Sequence, residues 1–154
     1  MTVEKYTNSV LRTWRTDLSK KDRILNAEAG LLGECGELAD HLKKVVFHGH
    51  EYDREYAKKE FGDIFYYHFA YCNEVGKPPL YHHIEYIKHH ISTSKKEVLR
   101  NIIYYNSDND IDFLLVALYS LDFHLSDVLK TNIDKLQARY PDGFSEQASR
   151  GRVV

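Results

Sequence analysis

Proline is scarce in this 154-residue chain: there are three, and none precedes Pro78. Nothing in the first half therefore forbids long helices, because proline is the residue that breaks a helix interior most strongly. Cysteine is scarcer still. Cys35 and Cys72 lie in apolar-patterned segments without CxxC spacing. They read as small core residues in a reducing cytoplasm, not as a disulfide or a zinc site. Long apolar runs are missing too. The longest clean one, Phe113–Leu118, has six residues, against about 20 for a membrane-spanning helix, so no membrane partner is expected. The opening MTVEKYTNSV has no apolar stretch behind its first charges and reads as carrying no secretory signal. Nor is there a basic excess. Lys and Arg number 21 against 23 Asp and Glu, a net charge of −2, which argues against a nucleic-acid partner whose phosphates need neutralising. What is abundant is aromatic and apolar: twelve Tyr, seven Phe and 43% apolar residues overall. That composition excludes a disordered chain, and the length fits a single domain over 1–154.

Helical spacing dominates the chain. Tyr6, Val10, Leu11 and Trp14 predict a first short helix, and Ile24 to about Phe47 carries a second apolar stripe that stops at His48-Gly49-His50. A third helix is expected over 51–75, ended by Gly76 and the Pro78-Pro79 pair. Two amphipathic helices follow at about 80–91 and 94–105, then the polar turn NSDND. A buried helix over 111–123 and a last one over 126–140 complete the chain. No segment alternates with period two, so the fold class is all-α, a helical bundle.

The residues that carry chemistry lie in GLLGECGELADHLKK (30–44) and KKEFGDIFYY (58–67). Glu34 and Glu37 are three apart and so share a helix face, about 60° from one another. Glu60 and Asp63 repeat that spacing on the next helix. The short connection implies antiparallel packing, which would bring four carboxylates into one groove. Such a cluster is costly, because like charges destabilise a helix and burial raises carboxyl pKa values. Hard divalent cations would offset the cost, and Mg²⁺ takes oxygen ligands while keeping positions for water and phosphate. Acidic pairs are usually solvated faces, but these sit among Gly, Cys, Leu and Phe. Gly30, Gly33 and Gly36, each costing about 1 kcal/mol in mid-helix, suggest a close approach by a helix or a metal–phosphate group. Lys44, seven residues after Glu37, is placed to meet a phosphate. Lys43 points elsewhere on that turn and could serve a different phosphate or none.

These segments, with HGH (48–50), EFGD (60–63) and the closing NIDKLQARYPDGFS (132–145), resemble the phage-type branch of the MazG-like nucleotide pyrophosphohydrolases, in the all-α NTP pyrophosphatase superfamily. The resemblance covers about 22–76 and 125–150. Residues 77–124 depart from the common short form and read as a lineage-specific helical extension. The resemblance implies hydrolysis of a nucleoside triphosphate to the monophosphate and diphosphate, with two or more Mg²⁺ ions (or Mn²⁺) held by Glu34, Glu37, Glu60 and Asp63. A metal-activated water would attack directly, its proton taken by one of these carboxylates, Glu37 before Glu34, or by another carboxylate that holds the water without touching metal. It also implies a homodimer or homotetramer acting on the nucleotide pool of the cytoplasm, a host's if the protein is viral. A silent nucleotide-binding or scaffold protein of the same fold is the alternative.

Asn132, Lys135 and Arg139 share a face at i, i+3, i+7, which suits triphosphate or sugar, although cations also favour a helix C-terminus. Asn26 and Trp14 are candidates to touch the base. His48 and His50 flank Gly49 and could reach phosphate. His82, Glu85 and His89 would share a face as a second metal site, but His83 and His90 form an equal pair, as on a His-rich surface. A di-iron bundle is disfavoured because neither acidic pair is followed at i+3 by His, and an HD-type phosphohydrolase is excluded because no His-Asp dipeptide occurs.

Overall fold

Capping side chains mark where the helices begin. In the computed structural model, which describes residues 1–151, Thr2, Ser19, Asp53, Asp110 and Ser145 each accept a backbone N–H from the first turn that follows. Each satisfies a donor that the helix itself leaves unpaired. The elements are α1 (Val3–Thr13), α2 (Lys20–His48), α3 (Arg54–Val75), α4 (Ile84–His90), α5 (Lys95–Asp108), α6 (Ile111–Ser120), α7 (Leu125–Arg139) and α8 (Glu146–Arg150). No strand occurs among the described residues, so the fold is an all-α bundle. None of these helices is long and apolar enough to cross a membrane.

Helix α2 buries Ala27, Leu31, Cys35, Leu38 and Leu42, one stripe at spacings of three and four. It ends at Gly49, whose φ of 71° is left-handed and favours glycine. The five residues between α2 and α3 return the chain so that the two long helices pack along each other. Helix α3 is the centre of the bundle. Phe61, Ile64, Phe65, Phe69 and Ala70 are buried almost completely, and α3 meets α1 and α7 as well as α2. Each buried Phe contributes roughly 1.5–3 kcal/mol. A helix so enclosed should be apolar throughout, yet it also buries Glu60 and His68.

The segment between the two motif blocks covers α2 within the same chain. Helix α5 packs on α2 and on α6, and α4 packs on α6. Its details differ from the sequence expectation. The fourth helix begins at Ile84, not near 80, because the buried Asp112 carboxylate takes both the backbone N–H of His83 at 3.0 Å and its ring Nδ1 at 2.7 Å. That anchors His83 as an extended residue. His82 therefore stands outside the helix and does not share a face with Glu85 and His89. The expected polar turn is shorter than NSDND. Helix α5 runs to Asp108, leaving the left-handed Asn109 (φ 52°) and Asp110, the cap of α6. Helix α6 stops at Ser120, ahead of the positive-φ Asp122. Helix α8 was not expected. Its capping Ser145 is its main local signal.

Candidate active site

Helices α2 and α3 bring the acidic residues together as their spacing predicts. Ligand-capable oxygens of Glu34, Glu37 and Glu60 lie within 4.8 Å of one another. Their environments differ. Glu37 is exposed, Glu34 half-buried and Glu60 fully buried. Glu60 Oε1 accepts from the Lys59 ammonium at 2.6 Å, whereas its Oε2 is buried with no fixed donor among the described residues, and only the neighbouring Glu34 carboxyl, when protonated, offers Glu60 a further hydrogen bond. An anionic oxygen left so costs several kcal/mol unless a proton or a cation meets it. The Glu34 carboxyl is pushed up to about 8, first by burial, then by the charge of Asp63, a hydrogen bond with Glu60 and the charges of Glu60 and Glu37. An all-oxygen donor set with one orphaned oxygen fits a hard divalent cation such as Mg²⁺ or Mn²⁺.

Asp63, the fourth predicted ligand, lies close enough to act on Glu34 but outside that group of three. Its Oδ1 accepts from the Lys135 ammonium and, at 3.1 Å, from the Asn132 amide. Asn132 is buried behind it, its own oxygen accepting from the Tyr6 hydroxyl at 2.8 Å. Gly62 gives Asn132 its room, since a Cβ there would lie 3.1 Å from Asn132 Cβ. Asn132 thus orients Asp63 instead of joining Lys135 and Arg139 on a substrate-facing stripe.

A cleft of about 530 Å³ opens beside these groups. Its charged lining is Glu34, Asp63, Lys135 and Arg139 together with Arg15 and Asp22; Trp14, Asn26, Tyr67 and Phe144 are among its other walls. The structure therefore gathers six of the residues singled out from sequence at one opening. Trp14 is buried, and its indole N–H donates to Glu74 at 3.0 Å, a carboxylate that also accepts from Arg23 at 2.9 Å. Only its ring surface is left to form a wall of the cleft. Lys43 and Lys44 are elsewhere: both pair with Asp40, at 2.6 and 2.7 Å. His48 and His50 are exposed and line no part of the cleft. Of the three glycines, only Gly30 has a close neighbour. A Cβ there would meet the Tyr67 ring at 2.4 Å, while Gly33 and Gly36 face open space.

No family model, curated protein or solved structure matches the chain. The site's chemistry rests on its own geometry.

Two participants escaped the sequence reading. Tyr6 sits at apolar helical spacing and is indistinguishable there from a core residue. Lys59 is adjacent to Glu60 in sequence, and that adjacency was its signal.

Proposed function

We propose that the protein is a Mg²⁺-dependent nucleoside triphosphate pyrophosphohydrolase of the MazG-like type, converting (d)NTP and water to (d)NMP and diphosphate. The observation that carries this reading is the junction of a partly buried carboxylate group having an orphaned oxygen with a cleft whose polar part also holds Lys135 and Arg139. Divalent ions held by Glu34, Glu37 and Glu60, with Asp63 as a further ligand, would supply electrophilic stabilisation of the phosphoryl oxygens and lower the pKa of water. Lys135 and Arg139 bind the triphosphate. The ring of Trp14 and the amide of Asn26 meet the base. Glu37, the exposed member of the group, takes the proton from water as its oxygen attacks the α-phosphorus, and the bond from that phosphorus to the bridging oxygen breaks to release diphosphate. Mn²⁺ is an acceptable substitute on the same donor set. The homodimer or homotetramer that the resemblance implies belongs to this proposal, and the exposed Leu25 and Leu32 on α2 (62% and 63%) would support it.

The test is diphosphate release from a panel of NTPs and dNTPs with Mg²⁺, for the intact chain and Glu37→Gln. We expect release from at least one nucleotide and a loss of at least a hundredfold in the variant, the usual scale for a positioned acid–base group. Equal release by both proteins would sink the mechanism. Nucleotide binding without release by either would favour a silent binding protein.

A further inference from the structure

Two of the acidic residues, Glu60 and Asp63, are already paired with lysines, and the two lysines are held very differently. Lys59 is the chain neighbour of the carboxylate it meets, Glu60. Lys135 reaches Asp63 from another helix, α7, on a flexible four-carbon stem, and its side chain is one-third exposed. The second donor to the same oxygen of Asp63, the Asn132 amide, is fixed by Tyr6 and by the space at Gly62. Lys135 can therefore leave without Asp63 losing its aim.

We propose that Lys135 is an exchangeable counter-ion: it occupies Asp63 until a divalent cation takes that carboxylate, and then transfers to the triphosphate in the adjoining cleft. The inference rests on the metal-dependent reading above and adds a competition to it. An ammonium and a divalent cation cannot share one carboxylate oxygen without strong repulsion, since like charges a few ångströms apart in a partly buried site are little screened. A displaced ammonium needs another anion, and Lys135 and Arg139 line the same opening, where phosphate supplies one. Metal and lysine thus compete in the absence of nucleotide and cooperate in its presence. An ordinary phosphate-binding lysine would aid the nucleotide and leave the affinity for metal alone unchanged.

The two cases separate in a binding experiment without turnover. Mn²⁺ alone is titrated calorimetrically into the chelator-stripped full chain, for the unaltered protein, Lys135→Met and Lys135→Arg, and tripolyphosphate is then titrated at saturating Mn²⁺. Lys135→Met should bind Mn²⁺ three- to tenfold more tightly and tripolyphosphate about tenfold more weakly. Lys135→Arg, which keeps the competing charge, should restore the Mn²⁺ affinity of the unaltered protein. Should Lys135→Met fail to fold by circular dichroism, Lys135→Gln makes the same comparison. Mn²⁺ binding of equal strength in the unaltered and Met proteins overturns the competition and leaves the metal site standing. Absence of Mn²⁺ binding in both overturns the two together.

Discussion

The amide of Asn132 accepts from Tyr6 and donates to Asp63, so helices α1, α7 and α3 meet at one buried side chain. Burial raises the Tyr6 hydroxyl well above its usual value, helped by the charges of Asp63 and Tyr66, so it stays a donor at any working pH. Tyr6→Phe would leave the Asn132 oxygen buried without a donor. That should cost roughly 1–3 kcal/mol, readable as a lower urea midpoint with an unchanged slope. If the chain of bonds also aims Asp63, Tyr6→Phe weakens Mn²⁺ binding, opposite in sign to the effect of Lys135→Met. An unfolding free energy within about 0.5 kcal/mol of that of the unaltered protein would show that Asn132 finds another partner. The acids themselves were legible at this scale because i, i+3 spacing on two linked helices is a local pattern. The partners of Asp63 were not, since Tyr6 lies 126 positions from Asn132 and Lys135 lies 72 from Asp63. Only packing brings such residues together.

Helix α2 carries three glycines, and they separate by what stands over them. The Tyr67 ring would lie 2.4 Å from a Cβ at Gly30. Gly30→Ala must therefore shift that ring, at a packing cost of about 1–3 kcal/mol that exceeds the roughly 1 kcal/mol gained in helix propensity. Gly33 and Gly36 have nothing within 4 Å, so Ala at either should stabilise the chain by up to about 1 kcal/mol. We expect Gly33→Ala, next to Glu34, to give a more stable and less active protein. Thermal melting together with diphosphate release checks this, and a rise in both would mean that the space over Gly33 serves no ligand. The glycines could be counted in the sequence, but which had a neighbour depended on the register of α3 against α2. Helix limits followed the same rule. Those set by local chemistry, at Gly49 and Gly76, came out where expected. The start of α4 did not, because it depends on Asp112 reaching back to His83 from 29 positions away.

At the scale of the whole molecule, a net charge of −2 hides two titrating groups, the half-buried Glu34 and the buried His68, that act in opposite directions. Glu34 titrates at about 8 when folded, against an ordinary value near 4.5, so the folded state holds a proton that the unfolded chain has released. Stability from this group is whole below about pH 4.5 and is lost as pH rises through 8. His68 is the reverse. Burial lowers it to about 4, against hydrogen bonds that act to raise it. Its neutral ring is satisfied on both sides: Nε2–H donates to the Pro79 carbonyl at 2.7 Å, which leaves Nδ1 to accept from Tyr105 at 2.8 Å. Stability from His68 is whole above about pH 6.5 and lost as pH falls towards 4, by roughly 3 kcal/mol at about 1.4 kcal/mol per unit. The windows overlap between 4.5 and 6.5, where the two effects oppose, and between 6.5 and 8 Glu34 acts without His68. In chelator, the melting temperature should therefore fall from pH 6.5 to 8.5, and Glu34→Gln should flatten that limb. Mg²⁺ should flatten it too, by pairing the carboxylate that the alkaline protein must otherwise bury charged. His68→Gln, whose amide offers a donor and an acceptor without titrating, should remove the loss on the acid side and leave the alkaline limb steep. A Glu34→Gln protein that melts as steeply between pH 6.5 and 8.5 as the unaltered chain would place the alkaline sensitivity outside the acidic group.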